Sequence, residues 1–236
     1  MERQVLADEI GAFPRQGHRQ QCRRQIRPAA TAIAFVAYRR QVSIQESGAA
    51  TWPAVLTWQA DNAPRMESVR VQLNRNRIKA AGRILGGACD EHPAFSASYD
   101  LVTDESGVTR RLSLRTSVAS GERQMSISRD DEGTWMVEHG VNYLRSTFDG
   151  ALDVDMVLSP FFNSLPIRRY GLHLRSEEVE VPVVYVNLLD LRVEGVMLTY
   201  SSRPDSIHVL SPVASSSVTI DRDGFIINYS GLAERI

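Results

Sequence analysis

Lysine is almost missing from this chain of 236 residues; Lys79 stands alone and every other basic residue is arginine. Such a bias reads as codon usage rather than as a binding design. Net charge is also nearly absent, at −1. No global basic field therefore draws the chain to nucleic acid or anionic lipid, and nucleic acid is not expected as a partner. Cysteine is scarce: Cys22 and Cys89 lie far apart, which excludes a disulfide framework and a cysteine-rich metal cluster. Long apolar runs are missing too. The longest near the start, Ala29 to Tyr38, is half of the roughly 20 residues a helical span needs. It follows Arg23 and Arg24 as an export signal would, but Arg39 and Arg40 come next with no small-residue cleavage site, so a cytoplasmic protein is expected. The histidines His18, His92, His139, His173 and His208 are scattered, and none pairs with another at metal spacing. No nucleophile elbow, phosphate-binding glycine loop or His-Glu-x-x-His occurs. No cofactor and no metal are expected.

What is present is ordinary globular material, 43% hydrophobic and 23% charged, enough to bury a sizeable core. Residues 1–50 differ from the rest. Between Gly11 and Ile44 there are seven arginines and no acid, and helical periodicity is poor apart from Ala29–Arg40. This part is expected to be an extension, disordered or weakly helical, in front of one domain over 52–233.

From Trp52 onward the pattern is strand after strand. Val69 to Leu73 alternates with period two, as do Phe95, Ala97, Tyr99 and Leu101, and then Arg111 to Val118. Gln124–Ser128 and Thr134–Glu138 continue the meander. Turn chemistry separates these runs at Asn74-Arg75-Asn76, Glu105-Ser106-Gly107, Ser120-Gly121 and Asp131-Glu132-Gly133. The second half adds strands over 179–187, 191–200, 207–210, 217–220 and 225–229, with Pro182 suggesting an edge or a strand start. Asp221-Arg222-Asp223-Gly224 reads as a hairpin turn. Short, regularly spaced strands with few helices predict an all-β fold, a curled antiparallel sheet or barrel-like structure.

One segment breaks the pattern. Ser159 and Pro160 read as the cap and first position of a helix, and Pro166 is expected to stop it within about two turns, because a proline disfavours helix at the residue before it. The run from Ala151 to Tyr170 then reads as strand, short helix, strand. It carries Asp153 and Asp155 on one strand face, then Phe161, Phe162 and Asn163, then Arg168 and Arg169. In a strand those two arginines point to opposite faces.

Asp153, Asp155, Pro160, Phe161, Asn163, Leu165, Pro166, Ile167, Arg168 and Arg169 together resemble the signature of the bacterial "putative glycolipid-binding" family. Phe162 and Ser164 stand where that family usually has threonine. Softer matches are Trp58, Glu67, Gly82, Tyr99, Asp104, Trp135, Val183 to Val186, Tyr200 and the closing Asp221 to Gly231, together covering about 52–233. The resemblance implies a strongly curled antiparallel sheet with one helix, similar to the periplasmic lipoprotein carriers. It also implies a role in binding or transporting a glycolipid.

The residues then divide between ligand and framework. Asp153 and Asp155, with Pro160 and Pro166, form the structural motif, and a salt bridge from Arg168 or Arg169 to one of the acids is favoured, because buried charges need partners. Phe161, Phe162, Asn163, Arg168, Arg169, Trp58, Tyr99, Trp135, Tyr185 and Tyr200 are the candidate ligand-binding residues. The aromatic rings would meet an acyl chain or sugar ring inside the curled sheet, and the alternative for each is core packing. Asn163 is expected to hydrogen-bond backbone at the helix end. The expected function is non-enzymatic binding of an amphipathic lipid or glycolipid in the concave face. An enzyme acting on such a ligand, and an interaction protein with no ligand, are the alternatives.

Overall fold

The computed structural model describes residues 52–212 and 214–236. The extension expected over 1–50 lies outside them. The first half is an eight-strand meander: β1 (Ala54–Ala60), β2 (Arg65–Asn74), β3 (Arg77–Gly86), β4 (Phe95–Thr103), β5 (Thr109–Val118), β6 (Gly121–Arg129), β7 (Trp135–His139) and β8 (Asn142–Ser146). Then come a short 3-10 turn at Phe148–Gly150, β9 (Asp153–Met156) and the helix α1 (Pro160–Arg169). The second half is β10 (Glu178–Val186), β11 (Val193–Ser202), β12 (Ile207–Leu210), β13 (Ser215–Ile220), β14 (Ile226–Tyr229) and β15 (Ala233–Arg235). The all-β expectation holds, and it includes one helix.

All fifteen strands among the described residues form one sheet in the order β8-β7-β6-β5-β4-β3-β2-β1-β15-β14-β13-β12-β11-β10-β9. Each neighbouring pair is antiparallel except β9 with β10, which is parallel. The sheet is not closed, since β8 and β9 remain its two ends. It curls back on itself all the same. The Trp135 indole on β7 donates to the Ala151 carbonyl just before β9, at 2.9 Å. Thr116 on β5 donates to the Leu188 carbonyl just after β10, at 3.0 Å. Strands near opposite ends of the order therefore meet across one core.

Strand β9 sits between the two halves, and its period-two alternation decides what each face buries. Val154 and Met156 join Val184 and Val186 in the core of the first half, with Trp58, Tyr99, Leu112 and Trp135. Asp153 and Asp155 are registered with Val183 and Tyr185 and face the other way. Val183 belongs to the second core, with Leu198, Tyr200, Val209 and Ile226. Helix α1 bridges the two: Phe161, Phe162 and Leu165 pack in the first core and Ile167 in the second.

The helix stop expected at Pro166 and the strand expected for Arg168 and Arg169 need correction. Helix α1 does not stop at Pro166 but runs through it to Arg169. A proline inside a helix costs about 3 kcal/mol, and here every residue from Pro160 to Ile167 is buried. Packing on all sides of α1 overrides the local preference. In consequence Arg168 and Arg169 occupy the last helical turn, not a strand. Pro182 also lies inside a strand, paired with Met197 of β11. Pairing with β9 begins only at Val183, so β10 behaves as an edge on that side at the proline.

Candidate functional site

Three acids, Glu67, Asp153 and Asp155, are buried where α1 meets the sheet. Glu67 lies on β2 at a position whose neighbours on the same face, Val69 and Val71, are core residues. Its carboxyl accepts the Tyr99 hydroxyl at 2.6 Å and the Ser159 hydroxyl at 2.7 and 2.9 Å, and it reaches the Phe161 backbone N–H at 3.5 Å. Ser159 holds the N-cap position but makes no cap bond to its own helix. A carboxyl from a distant strand does that work instead, at the positive end of the helix dipole. Burial raises the Glu67 pKa to about 7, against the pull of these hydrogen bonds and of Arg65.

Asp155 is the second acid. Asn163, one turn into α1, donates from Nδ2 to Asp155 Oδ1 at 3.1 Å and accepts the Tyr200 hydroxyl on Oδ1 at 2.9 Å. Asn163 thus binds side chains from two strands, not the helix-end backbone expected from the sequence. Burial, aided by Asp153 two residues away, raises the Asp155 pKa to about 7. The same carboxyl helps burial raise the pKa of Tyr185 and of Tyr229. Neither of these phenol hydroxyls has a hydrogen-bond partner among the described residues.

These groups converge on a hollow of about 250 Å³. Asp155, Ser159 and Asn163 line it as buried polar groups, Tyr185 and Tyr229 are half-buried walls, and Leu158, Leu198, Val209 and Leu232 supply apolar surface. Leu158 carries φ 72. A branched side chain in the left-handed region is strained by about 1–2 kcal/mol, and such strain concentrates at functional positions. A larger hollow, about 470 Å³, lies over β4 to β7. Its polar lining, including Ser98, Asp100, Arg115 and Glu138, is exposed or half-buried. It is a depression on the outer face of the sheet, without buried polar groups aimed into it. The smaller hollow is the candidate site.

The model of the family described as "putative glycolipid-binding" matches residues 55–235. The chain belongs to this family. Its fold resembles the crystal structure, at 1.80 Å resolution, of a DUF1089 family protein from Pseudomonas aeruginosa. The two share 22% identity, with a TM-score of 0.61, over 80% of this chain and 100% of that one. Comparison with curated proteins gives no match.

The family signature divides by depth. Phe161 and Phe162 have no exposed surface, and neither do Trp58 and Trp135; Tyr99 is 2% exposed. These five fill the concave side of the sheet together with α1. Both indoles donate to backbone carbonyls, Trp58 to Ile226 at 3.0 Å and Trp135 to Ala151. Asn163 and Tyr185 line the hollow. Tyr200 is buried behind Asn163 and positions it.

Arg169 makes the expected salt bridge, with Asp153, through Nη2 at 2.6 Å and Nε at 3.1 Å. Burial opposes charge on both partners, but the Asp153 carboxylate overrides it and raises the Arg169 pKa. Arg168 turns elsewhere, over the Phe225 ring and toward the Arg75 carbonyl.

Tyr229, Ser159 and Leu158 were not singled out as ligand residues from the sequence. Nor was Glu67, although a charged residue at a core-phase position of a strand was a readable signal. No group of three His, Cys, Asp or Glu side chains among the described residues could hold a metal ion. No described helix is long and apolar enough to cross a membrane.

Proposed function

We propose that the protein binds the headgroup of an amphipathic glycolipid in the hollow at the N-terminal half of α1. The observation that carries this reading is the convergence of Asp155, Asn163 and two unpartnered phenols on one partly apolar cavity. Sugar hydroxyls both donate and accept. A carboxylate accepts from them, a phenol does either, and the aliphatic walls suit the carbon face of a ring. At about 250 Å³ the hollow is smaller than the roughly 300–1,000 Å³ of sites that enclose a whole drug-sized ligand. It suits a headgroup, with the acyl part leaving along Leu158 and Leu232.

Binding is favoured over glycoside cleavage by the acid count. Cleavage ordinarily uses two carboxyl groups flanking the bond. Asp155 is the one carboxyl in the described lining, and Asp153 is held by Arg169.

Titration calorimetry with short-chain glycolipids tests the reading. Asp155→Asn and Tyr229→Phe are each expected to weaken binding by about 1.5–3 kcal/mol, tenfold or more, without changing the fold. Affinities that ignore both substitutions would reject this site. Release of free sugar by the wild-type protein would favour the enzyme alternative.

A further inference from the structure

The C-terminal end of α1 forms a second hollow, of about 380 Å³, which the glycolipid reading does not use. Arg168, Arg169, Arg175, His173 and Asn76 line it, and its described lining contains no carboxylate. Three guanidinium groups on one hollow are unusual in a chain whose net charge is −1. Two of them already have anions. Arg169 is bound to Asp153, and Arg175 reaches Glu177 at 2.9 Å on the surface.

Arg168 does not. Its Nη2 donates to the Arg75 carbonyl at 3.1 Å, and its guanidinium carbon lies 4.8 Å from the centre of the Phe225 ring. Among the described residues no carboxylate lies within ion-pair distance of it. Asp221 and Asp223 act on it only from farther off, and Asp221 is itself engaged by Arg235 at 2.7 Å.

Two neighbouring nitrogens, Arg168 Nε and His173 Nδ1, are buried with no hydrogen-bond partner. The two side chains meet over Gly224, where an added Cβ would stand 2.9 Å from Arg168 Cγ and 3.0 Å from His173 Nδ1. The absence of a side chain at 224 is what admits them. Burial lowers the Arg168 pKa, and burial together with Arg168 lowers that of His173. A desolvated cation is costly until an anion meets it. The C-terminal dipole of α1 opposes an anion by about half a charge, and the full charge of Arg168, which no carboxylate among the described residues neutralises, outweighs that.

We propose that this hollow is a second binding site, for a phosphate group, held by Arg168 with Arg175 and His173. The phosphate can belong to a lipid headgroup or to a small soluble phosphate, and the chemistry of recognition is the same. A planar guanidinium offers two parallel N–H donors to two phosphate oxygens. A neutral His173 adds a donor, or becomes charged when the anion arrives.

The test follows the His173 imidazole by NMR in the full chain. Inorganic phosphate, a water-soluble short-chain phosphatidylinositol and free inositol are titrated separately. Saturable binding of a phosphate-bearing probe, with a rise in the His173 pKa and no response to inositol, is the expected result. Response to inorganic phosphate identifies a soluble-phosphate site, and response to the lipid alone identifies a headgroup site. Arg168→Gln should weaken binding about tenfold or more, the loss of one charge-assisted contact. Arg175→Gln, an exposed position, gives a second variant if Arg168→Gln folds poorly, and it should also weaken binding. Asp155→Asn, in the other hollow, should leave the phosphate response intact. No His173 response to either phosphate probe, or a response unchanged by both arginine variants, would overturn the proposal.

Discussion

Replacing Glu67 by Gln should change how stability depends on pH more than it changes stability itself. Glu67 is buried, and its pKa is raised from 4.5 to about 7. In the unfolded chain the carboxyl ionises near 4.5, whereas in the fold it keeps its proton until about 7. The folded state therefore binds more protons in that window, and stability falls as pH rises through it. The stability is fully present below about 4.5 and lost above about 7. The gap corresponds to about 3 kcal/mol.

Gln is nearly the same shape and neutral throughout. It keeps one acceptor oxygen for the Tyr99 and Ser159 hydroxyls, and both hydroxyls can turn to accept from its amide. At pH 5 the variant should be less stable by about 1 kcal/mol, the worth of one poorer hydrogen bond. At pH 8 it should be more stable by about 2 kcal/mol, because no buried carboxylate remains. Equilibrium urea unfolding across this pH range, followed by tryptophan fluorescence, measures both ends. Asp155 titrates in the same window but is common to both proteins and cancels in the difference. If the two stability curves run parallel from pH 4.5 to 8, Glu67 is not protonated in the fold and the argument fails.

The Asp153–Arg169 pair is buried, so Asp153→Ala and Arg169→Ala should each cost about 3–5 kcal/mol, while the double variant costs less than their sum. Chemical unfolding of the four proteins gives the coupling, and simple additivity would show that the pair does not act as a unit. At Gly82 an added Cβ would fall 2.1 Å from the Tyr99 ring. Gly82→Ala should then cost about 1–3 kcal/mol by overpacking and loosen the Tyr99–Glu67 contact; an unchanged urea midpoint would count against it. Glycolipid affinity should rise as pH increases through about 7, where Asp155 ionises and becomes a stronger acceptor for sugar hydroxyls. Asp155→Asn should flatten that profile in calorimetry at several pH values, and a wild-type profile already flat would remove Asp155 from the site.

Much of the sheet was legible because its strands alternate cleanly. β4, β5 and β7 fall within two residues of the expected runs, and β12 falls on Ile207–Leu210 as read. Gly224, at φ 80, closes the hairpin that Asp221 begins. β3 escaped notice although it alternates, since three of its five inward positions, Ala80, Gly82 and Gly86, are small and only Ile78 and Ile84 are large. Its glycines are covered from β4 instead: Tyr99 lies across Gly82 and Phe95 across Gly86. A glycine that receives a cross-strand ring looks in sequence like a weak strand. The candidate site was half legible. Asn163 and Tyr185 were in view, but Tyr229 and Leu158 reach the hollow only through the order of the sheet, which places β14 and the end of β9 around the same space. No local pattern encodes that order.

The burial of α1 explains why the signature run is polar as well as aromatic. A helix on a surface can leave its polar side chains in water, and α1 has no wet face until its last turn. Each polar group must therefore find a partner inside the fold. Ser159 finds Glu67, Asn163 finds Asp155 and Tyr200, Ser164 accepts the Ile226 backbone N–H at 3.3 Å, and Arg169 finds Asp153. These contacts fix the helix in rotation as well as in position, so the same residues that pin it also decide what its two ends present. At the first end, satisfying Asn163 requires a carboxyl on β9, and that carboxyl opens onto the hollow with the two phenols. At the second end, Arg169 consumes the available carboxylate and leaves Arg168 without one. Reversing the two assignments, by placing an acid beside Arg168, would close the second hollow electrostatically while leaving the first untouched. Gly224 is the obvious place, yet Gly224→Asp has no room for its Cβ and would sit at φ 80. Asn76→Asp, which adds no atoms to the lining, is the change that separates the two ends of the helix.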